Sequence, residues 1–229
     1  MALIRFPEGQ QRSGSSGGSV FSHNRYGAYI RARSIPVNPS TDRQVNVRNA
    51  VKNLTIRWVT VLTQLQRDAW ELYALLVPWS NKFGDVVHLT GLNHYVRSNG
   101  PRVRNGIAAV DAAPTIFDLA AADTMLSATA SEATQQLTVD GDPAASWIAE
   151  ADAWYFVQMG APQNPGIKFF NGPWRQIAAI PGAGPPPFPA VIDTAWPFAE
   201  DQRIWVQSRI ARGDGRLSTF AQYNFLAIA

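Results

Sequence analysis

The sequence predicts an α+β protein: an extended N-terminal arm, then a small helical module, then an antiparallel β-sandwich. Three observations predict it. The chain opens in Gly/Ser-rich sequence followed by prolines, and apolar residues then recur at three- and four-residue steps. Past residue 113, short β-prone runs alternate with Gly, Pro, Asn and Asp turns. The boundaries read this way are 1–39 for a flexible, extended arm, 40–112 for the helices and 113–229 for the sandwich.

The arm comes first. Residues 8–20, EGQQRSGSSGGSV, have the low complexity of a flexible segment. Phe21, Tyr26, Tyr29 and Ile30 then alternate loosely with polar groups, and Pro36 and Pro39 forbid a helix while pushing Ile35 and Asn38 into extended conformations. Aromatic and arginine side chains are favoured at interfaces, so this stretch reads as an arm that becomes ordered by lying on a partner.

A helix should begin at Ser40 or Thr41, where Thr41-Asp42-Arg43-Gln44 fits a capping box. Val47, Val51, Leu54, Trp58 and Val61 follow as an apolar stripe of helical period. A second box, Thr63-Gln64-Leu65-Gln66, starts another helix carrying Ala69, Trp70, Leu72, Tyr73 and Leu76, which Pro78 ends. The short join makes the two helices neighbours. Residues 79–89 read as a loop with a short strand near Val86 and Val87. Thr90 caps a third helix carrying Leu92, Tyr95 and Val96, predicted to stop near Asn99-Gly100-Pro101.

In the last part, strands are predicted at 125–131, 135–139, 154–159, 168–170, 174–180, 203–211 and 216–228. Residues 181–189, PGAGPPPFP, read as a stiff connection. Asp214-Gly215, lying between two apolar alternating runs, signals a hairpin. Seven short strands in this length suit a small sandwich.

Composition narrows the function. A chain of 229 residues with 46% hydrophobic content can bury a sizeable core. The absence of cysteine excludes disulfides, thiolate metal sites and cysteine nucleophiles, and suits synthesis in a reducing cytosol. No apolar run reaches the ~18 residues of a membrane span, and MALIRFPEG is too short for a secretory signal, so a soluble protein is expected. Charge is unevenly placed: fourteen Lys/Arg stand against five Asp/Glu through residue 110, and six against twelve after it. The first half therefore suits an acidic partner, whether nucleic acid, another protein or the acidic half of a second copy.

Catalytic patterns do not emerge. His88 and His94 lack the spacing of a helical zinc pair, the carboxylates are scattered, and no nucleophile elbow or Walker loop occurs. Residues 13–18, SGSSGG, have the glycines of a phosphate loop without its Lys-Ser/Thr. Arg212-Gly213-Asp214 spells an integrin tripeptide, although the Asp-Gly turn already explains two of its residues. Neither catalysis nor a cofactor or metal is expected.

Two resemblances extend this reading. The β half resembles fibronectin-III and immunoglobulin-like sandwiches in strand number and spacing, with Trp154 and Trp205 as buried-aromatic candidates. Residues 25–48 carry RYG-x3-R-x-R-x2-P-x-NP-x-T-x2-Q-x3-R. LT-x2-QR-x2-W follows at Leu62, Thr63, Gln66, Arg67 and Trp70, and G-x-N-x-Y-x3-N at Gly91, Asn93, Tyr95 and Asn99. These are similar to a group of uncharacterised phage and prophage proteins, and the resemblance implies virion context, with assembly in the host cytoplasm. The function expected is that of a non-enzymatic virion structural protein of capsid-decoration, connector or tail type. It would be anchored by its arm and helices to other virion proteins and to copies of itself as a homo-oligomer, without a membrane. Arg25, Tyr26, Arg31, Arg33, Arg43 and Arg48 are the candidate partner-binding residues. A nucleic-acid-binding protein using Arg43, Arg48, Lys52, Arg57, Arg97, Arg102 and Arg104 is the first alternative. A host-surface or carbohydrate-binding β module is the second.

Overall fold

A computed structural model describes the chain except residues 1, 6–11, 35–36, 82, 124–126 and 184–187. The protein is mixed helix and antiparallel sheet. It forms two compact units, Met1–Gly100 with Asp111–Phe117, and Pro101–Val110 with Asp118–Ala229. The division therefore falls at Gly100 and Pro101, with residues 111–117 returning to the first unit.

Unit 1 corrects the expectation of a flexible, extended arm. Strands β1 (Ala2–Leu3), β2 (Gly14–Ser16), β3 (Ser19–Asn24) and β4 (Gly27–Ala32) form one antiparallel sheet in the order β1-β4-β3-β2. The supposed linker holds its first turn. Gly17 and Gly18 both take positive φ, at 52° and 81°, as a two-residue hairpin loop of the primed type demands. The second turn, at Arg25-Tyr26, is held by the Asn24 carboxamide oxygen accepting from the Tyr26 N–H at 2.9 Å. A glycine-rich run thus reads as disorder by composition and as a hairpin by position. The flexible reading of residues 8–11 and the extended reading of Ile35 lie outside the described residues.

Helix α1 (Asp42–Thr60) starts where predicted, with Thr41 as N-cap accepting from the Gln44 N–H. Helix α2 (Gln64–Leu76) has a complete capping box between Thr63 and Gln66. Trp79–Ser80 (β5) and Val86–Val87 (β6) pair as a small hairpin. The apolar stripes are corrected. On α1 only Ala50 and Leu54 are buried, while Val47, Val51 and Val61 stand exposed. On α2 the buried residues are Trp70, Tyr73 and Ala74, and Leu72 and Leu76 are exposed.

Helix α3 (Gly91–Arg104) runs through Gly100-Pro101 where a stop was predicted. Proline lacks an N–H, so the Arg97 carbonyl loses its helical donor. Flanking amides hold the backbone on either side: Asn99 Nδ2 donates to the Tyr95 carbonyl at 3.1 Å, and Asn105 Nδ2 to the Pro101 carbonyl at 2.6 Å.

Unit 2 contains two antiparallel sheets. One has the order β11-β8-β7, from β7 (Ser127–Ser131), β8 (Gln136–Asp140) and β11 (Ala190–Asp193). The other has the order β10-β9-β12-β13, from β9 (Trp154–Gly160), β10 (Trp174–Pro181), β12 (Arg203–Ala211) and β13 (Ala221–Leu226). Three details depart from the sequence reading. Residues 168–170 form no strand, β11 was not foreseen, and the last strand starts at Ala221. The Asp214-Gly215 turn forms as predicted, with the Gly215 N–H donating to the Arg212 carbonyl and the Arg212 N–H to the Arg216 carbonyl.

Inner residues of both sheets share one core: Leu137 and Val139 from β8, Tyr155, Val157 and Met159 from β9, and Ile204 and Val206 from β12. Trp205 is buried as expected and Trp154 is half-buried, but the indole within this core is Trp147. It stacks on Tyr155 at 5.4 Å, and Phe188 meets both rings edge-on.

The other face of the four-stranded sheet carries a row of glutamines in register, Gln176, Gln158, Gln207 and Gln222, one per strand. Gln207 donates to Gln158 at 2.6 Å and Gln222 to Gln207 at 3.0 Å, which lets Gln158 and Gln207 be buried without wasting their amides. Beside this row, Phe170 lies over Gly160, between Trp174 and Trp205. A Cβ at Gly160 would approach the Phe170 ring to 2.3 Å. Gly160→Ala is expected to destabilise the protein by about 1–3 kcal/mol, since overpacking forces neighbours from their rotamers. Urea unfolding measures it, and in a double-mutant cycle Phe170→Ala should absorb most of the effect.

Candidate interaction surface

The signature residues in unit 1 fall into two groups, those that hold the fold and those that remain outward. Arg25 donates to the His88 carbonyl at 2.9 Å, and the Tyr26 carbonyl accepts from Asn81 Nδ2 at 3.0 Å, so this turn is tied to the loop after α2. Gly27 needs its φ of 117°. Arg48 donates to Asn38 Oδ1 at 2.6 Å, which fastens the segment leading into α1.

The second signature is structural throughout. Leu62 is buried, and Thr63 and Gln66 cap α2. Arg67 donates to the Trp58 and Leu62 carbonyls at 3.1 and 2.8 Å. A cation is thus placed on the otherwise unpaired carbonyls at the end of α1, where it also complements the helix dipole. Trp70 is buried and its indole donates to the Asp111 carbonyl at 3.0 Å.

The third signature behaves alike. A side chain at Gly91 would strike the α2 backbone at 2.6 Å, and the Gly91 N–H donates to Glu71. Tyr95 is buried between Trp58 and Trp70 and donates to Asp111 Oδ1 at 2.9 Å. Arg57 completes the cluster with a two-pronged pairing to the same carboxylate, at 2.7 and 2.6 Å. This pairing holds Asp111 below the usual carboxylate range and raises Arg57, while burial and the hydrogen bond to Asp111 raise the Tyr95 hydroxyl.

Arg31, Arg33 and Arg43 are left exposed, as are Arg25 and Arg48 despite their bonds, while Tyr26 is half-buried. Tyr26 lines a groove of about 450 Å³ within unit 1, together with Val51, Trp79, Leu89, Leu92 and Arg97. Arg97 lies over the Trp79 ring at 4.9 Å, so the groove combines apolar walls with a cation at one side. Sequence reasoning missed Trp79 and gave Arg97 to a nucleic-acid face instead, because β5 and α3 meet the β3–β4 turn only in the fold.

Four of the seven cations assigned to a nucleic-acid face are otherwise engaged. Arg57 holds Asp111, and Arg97 covers Trp79. Arg102 is buried and donates to the Asp152 and Arg212 carbonyls at 2.6 and 2.9 Å, while Arg104 is half-buried. Arg43, Arg48 and Lys52 are exposed. Arg212-Gly213-Asp214 is likewise used internally. Arg212 pairs with Glu150, Asp214 accepts from Arg216, and a Cβ at Gly213 would meet the Ala151 carbonyl at 2.4 Å.

Among the described residues, no group of three or more His, Asp or Glu could hold a metal, and no helix is long and apolar enough to cross a membrane. No protein-family model matches the chain, and no curated protein sequence matches it.

Two measurements test the centre of unit 1. Asp111→Asn should cost about 1–2 kcal/mol on denaturant unfolding, the modest end for a broken charged pair because the Arg57 side chain is 41% exposed. His94 is buried edge-on to Tyr73, its ring nitrogens lack hydrogen-bond partners among the described residues, and burial lowers its pKa to about 4 from 6.5. The neutral form is favoured in the fold, so its contribution is complete above pH 6.5 and is lost as pH falls toward 4, by up to roughly 3 kcal/mol. Asp111 loses its contribution only below 3.8, so the two windows separate. Thermal unfolding between pH 7 and 4.5 should show the loss, and His94→Leu should flatten it.

Proposed function

We propose that this protein is a non-enzymatic structural subunit of a phage particle, of capsid-decoration, connector or tail type, anchored through unit 1. The observation that carries the reading is the apolar surface left uncovered on α1 and α2. A helix of this length gains most of its stability from packing, yet on α1 only two side chains are buried. An assembly that covers these faces accounts for them. The exposed arginines at 31, 33 and 43 then serve as a charged rim that steers an acidic neighbour, and the Tyr26–Trp79 groove receives an apolar side chain from it.

We read the paired sheets of unit 2 as a fibronectin-III-like sandwich. Three strands in the order β11-β8-β7 and four in the order β10-β9-β12-β13 support that reading, as does the common core between them. Such a module would project from the particle or pack on neighbours.

The test is particle composition. Mass spectrometry of purified particles should find the protein in a fixed copy number, and its absence from them would remove the proposal. Reversing Arg31, Arg33 and Arg43 to Glu should leave the unfolding curve within about 0.5 kcal/mol, as surface changes do. The same variant should lower incorporation by roughly tenfold or more, as expected when like charges meet across an interface.

A further inference from the structure

The uncovered side of α2 is a seam. Leu65, Ala69, Leu72 and Leu76 are spaced by four, three and four residues, the step of a coiled-coil stripe, with Leu75 beside them. Leu65 is 79% exposed and Leu72 48%. Trp70, Tyr73 and Ala74, which face the interior, lie on the other side of the helix. Helix α1 has a matching stripe away from Ala50 and Leu54: Val45, Asn49, Lys52, Ile56 and Val59, with Val59 68% exposed.

We infer that these stripes are partners between two copies of the chain, α1 of one copy packing on α2 of the next. The inference rests on the structural role proposed above and names the neighbour that covers these helices. The apolar side chains it would cover are Leu65, Leu72, Leu75 and Leu76 on α2, and Val45, Ile56 and Val59 on α1, all of them exposed.

Charge decides which stripe meets which. On α2, Arg67 is turned to the α1 carbonyls, and the exposed charges are both acidic, Asp68 and Glu71, the latter also accepting from the Gly91 N–H. On α1, Arg57 is committed to Asp111, and the exposed charges are Asp42 at its start and the cations Arg43, Arg48 and Lys52, with Lys52 in the stripe itself. Pairing α1 with α1 sets cations against cations, and pairing α2 with α2 leaves Asp68 among leucines without a counter-charge. Only α1 on α2 brings Asp68 to Lys52 and Arg48 while burying Leu65, Leu72, Ile56 and Val59. A surface that meets a different surface of its neighbour permits a ring.

The experiment is analytical ultracentrifugation of the full chain over a concentration series, with circular dichroism as the folding control. Wild type should self-associate. Leu65→Glu with Leu72→Glu, and separately Ile56→Glu with Val59→Glu, should each weaken association by at least tenfold, and an equimolar mixture of the two variants should form a one-to-one complex through the intact pairing. Asp68→Lys and Lys52→Asp should each weaken association, and the two in one chain should restore it. A monomeric wild type would overturn the inference, as would association indifferent to the α1 variants or a mixture that stays dissociated. If particles still carry a protein that is monomeric in this assay, a different virion protein covers the helices, and the structural role survives without this pairing.

Discussion

Asp111 is where unit 1 is tied together. Its carboxylate accepts from Arg57 of α1 and from Tyr95 of α3, and its carbonyl accepts from the Trp70 indole of α2. Each helix contributes one donor, and the three aromatic rings of Trp58, Trp70 and Tyr95 pack around them. The helices bury few aliphatic side chains, so direction comes from this polar centre, where a misplaced helix would leave a buried donor unpaired. A fold held from one interior point can leave the other sides of its helices apolar and uncovered.

Unit 2 solves the same problem differently. Its shared aliphatic and aromatic core follows the period-two alternation of the strands, and the opposite face of the larger sheet is filled by amides bonded across strands. The Gln158–Gln207–Gln222 chain consumes hydrogen-bonding capacity that would otherwise oppose burial. Gly160 then allows the Phe170 ring to close over the sheet. Both units leave apolar side chains exposed, Phe169 and Val191 in the β half and Val59, Leu65 and Leu75 on the helices.

Much of the site was legible in part. Arg25, Tyr26 and Arg48 were singled out for partner binding, and the fold uses bonds from all three to hold its own chain while leaving the two arginines exposed. The residue types that serve an interface, planar donors and amphipathic rings, are the same ones that bridge loops to helices, and spacing alone does not separate the two uses. Val47 and Val51 posed the converse difficulty. Helical period identified a stripe, but period reports only that one face is apolar and does not say whether the same chain covers it.

Sequence alone determined the local events. Caps at Thr41, Thr63 and Thr90, the turn at Asp214-Gly215 and most strand positions in the β half follow from hydrogen bonds and dihedral preferences acting within a few residues. Tertiary structure decided what depends on distant partners. It turned the Gly/Ser-rich segment into a hairpin because β3, itself paired with β4, supplies a strand to pair with, and it carried α3 through Pro101 where Asn99 and Asn105 hold the flanking backbone. It also gave Arg57, Arg97 and Arg102 partners within the chain, and buried Arg102. A charge or an apolar stripe has the same appearance in a sequence whether its partner is solvent, the same chain or another molecule, and only the packed structure shows which of these it meets.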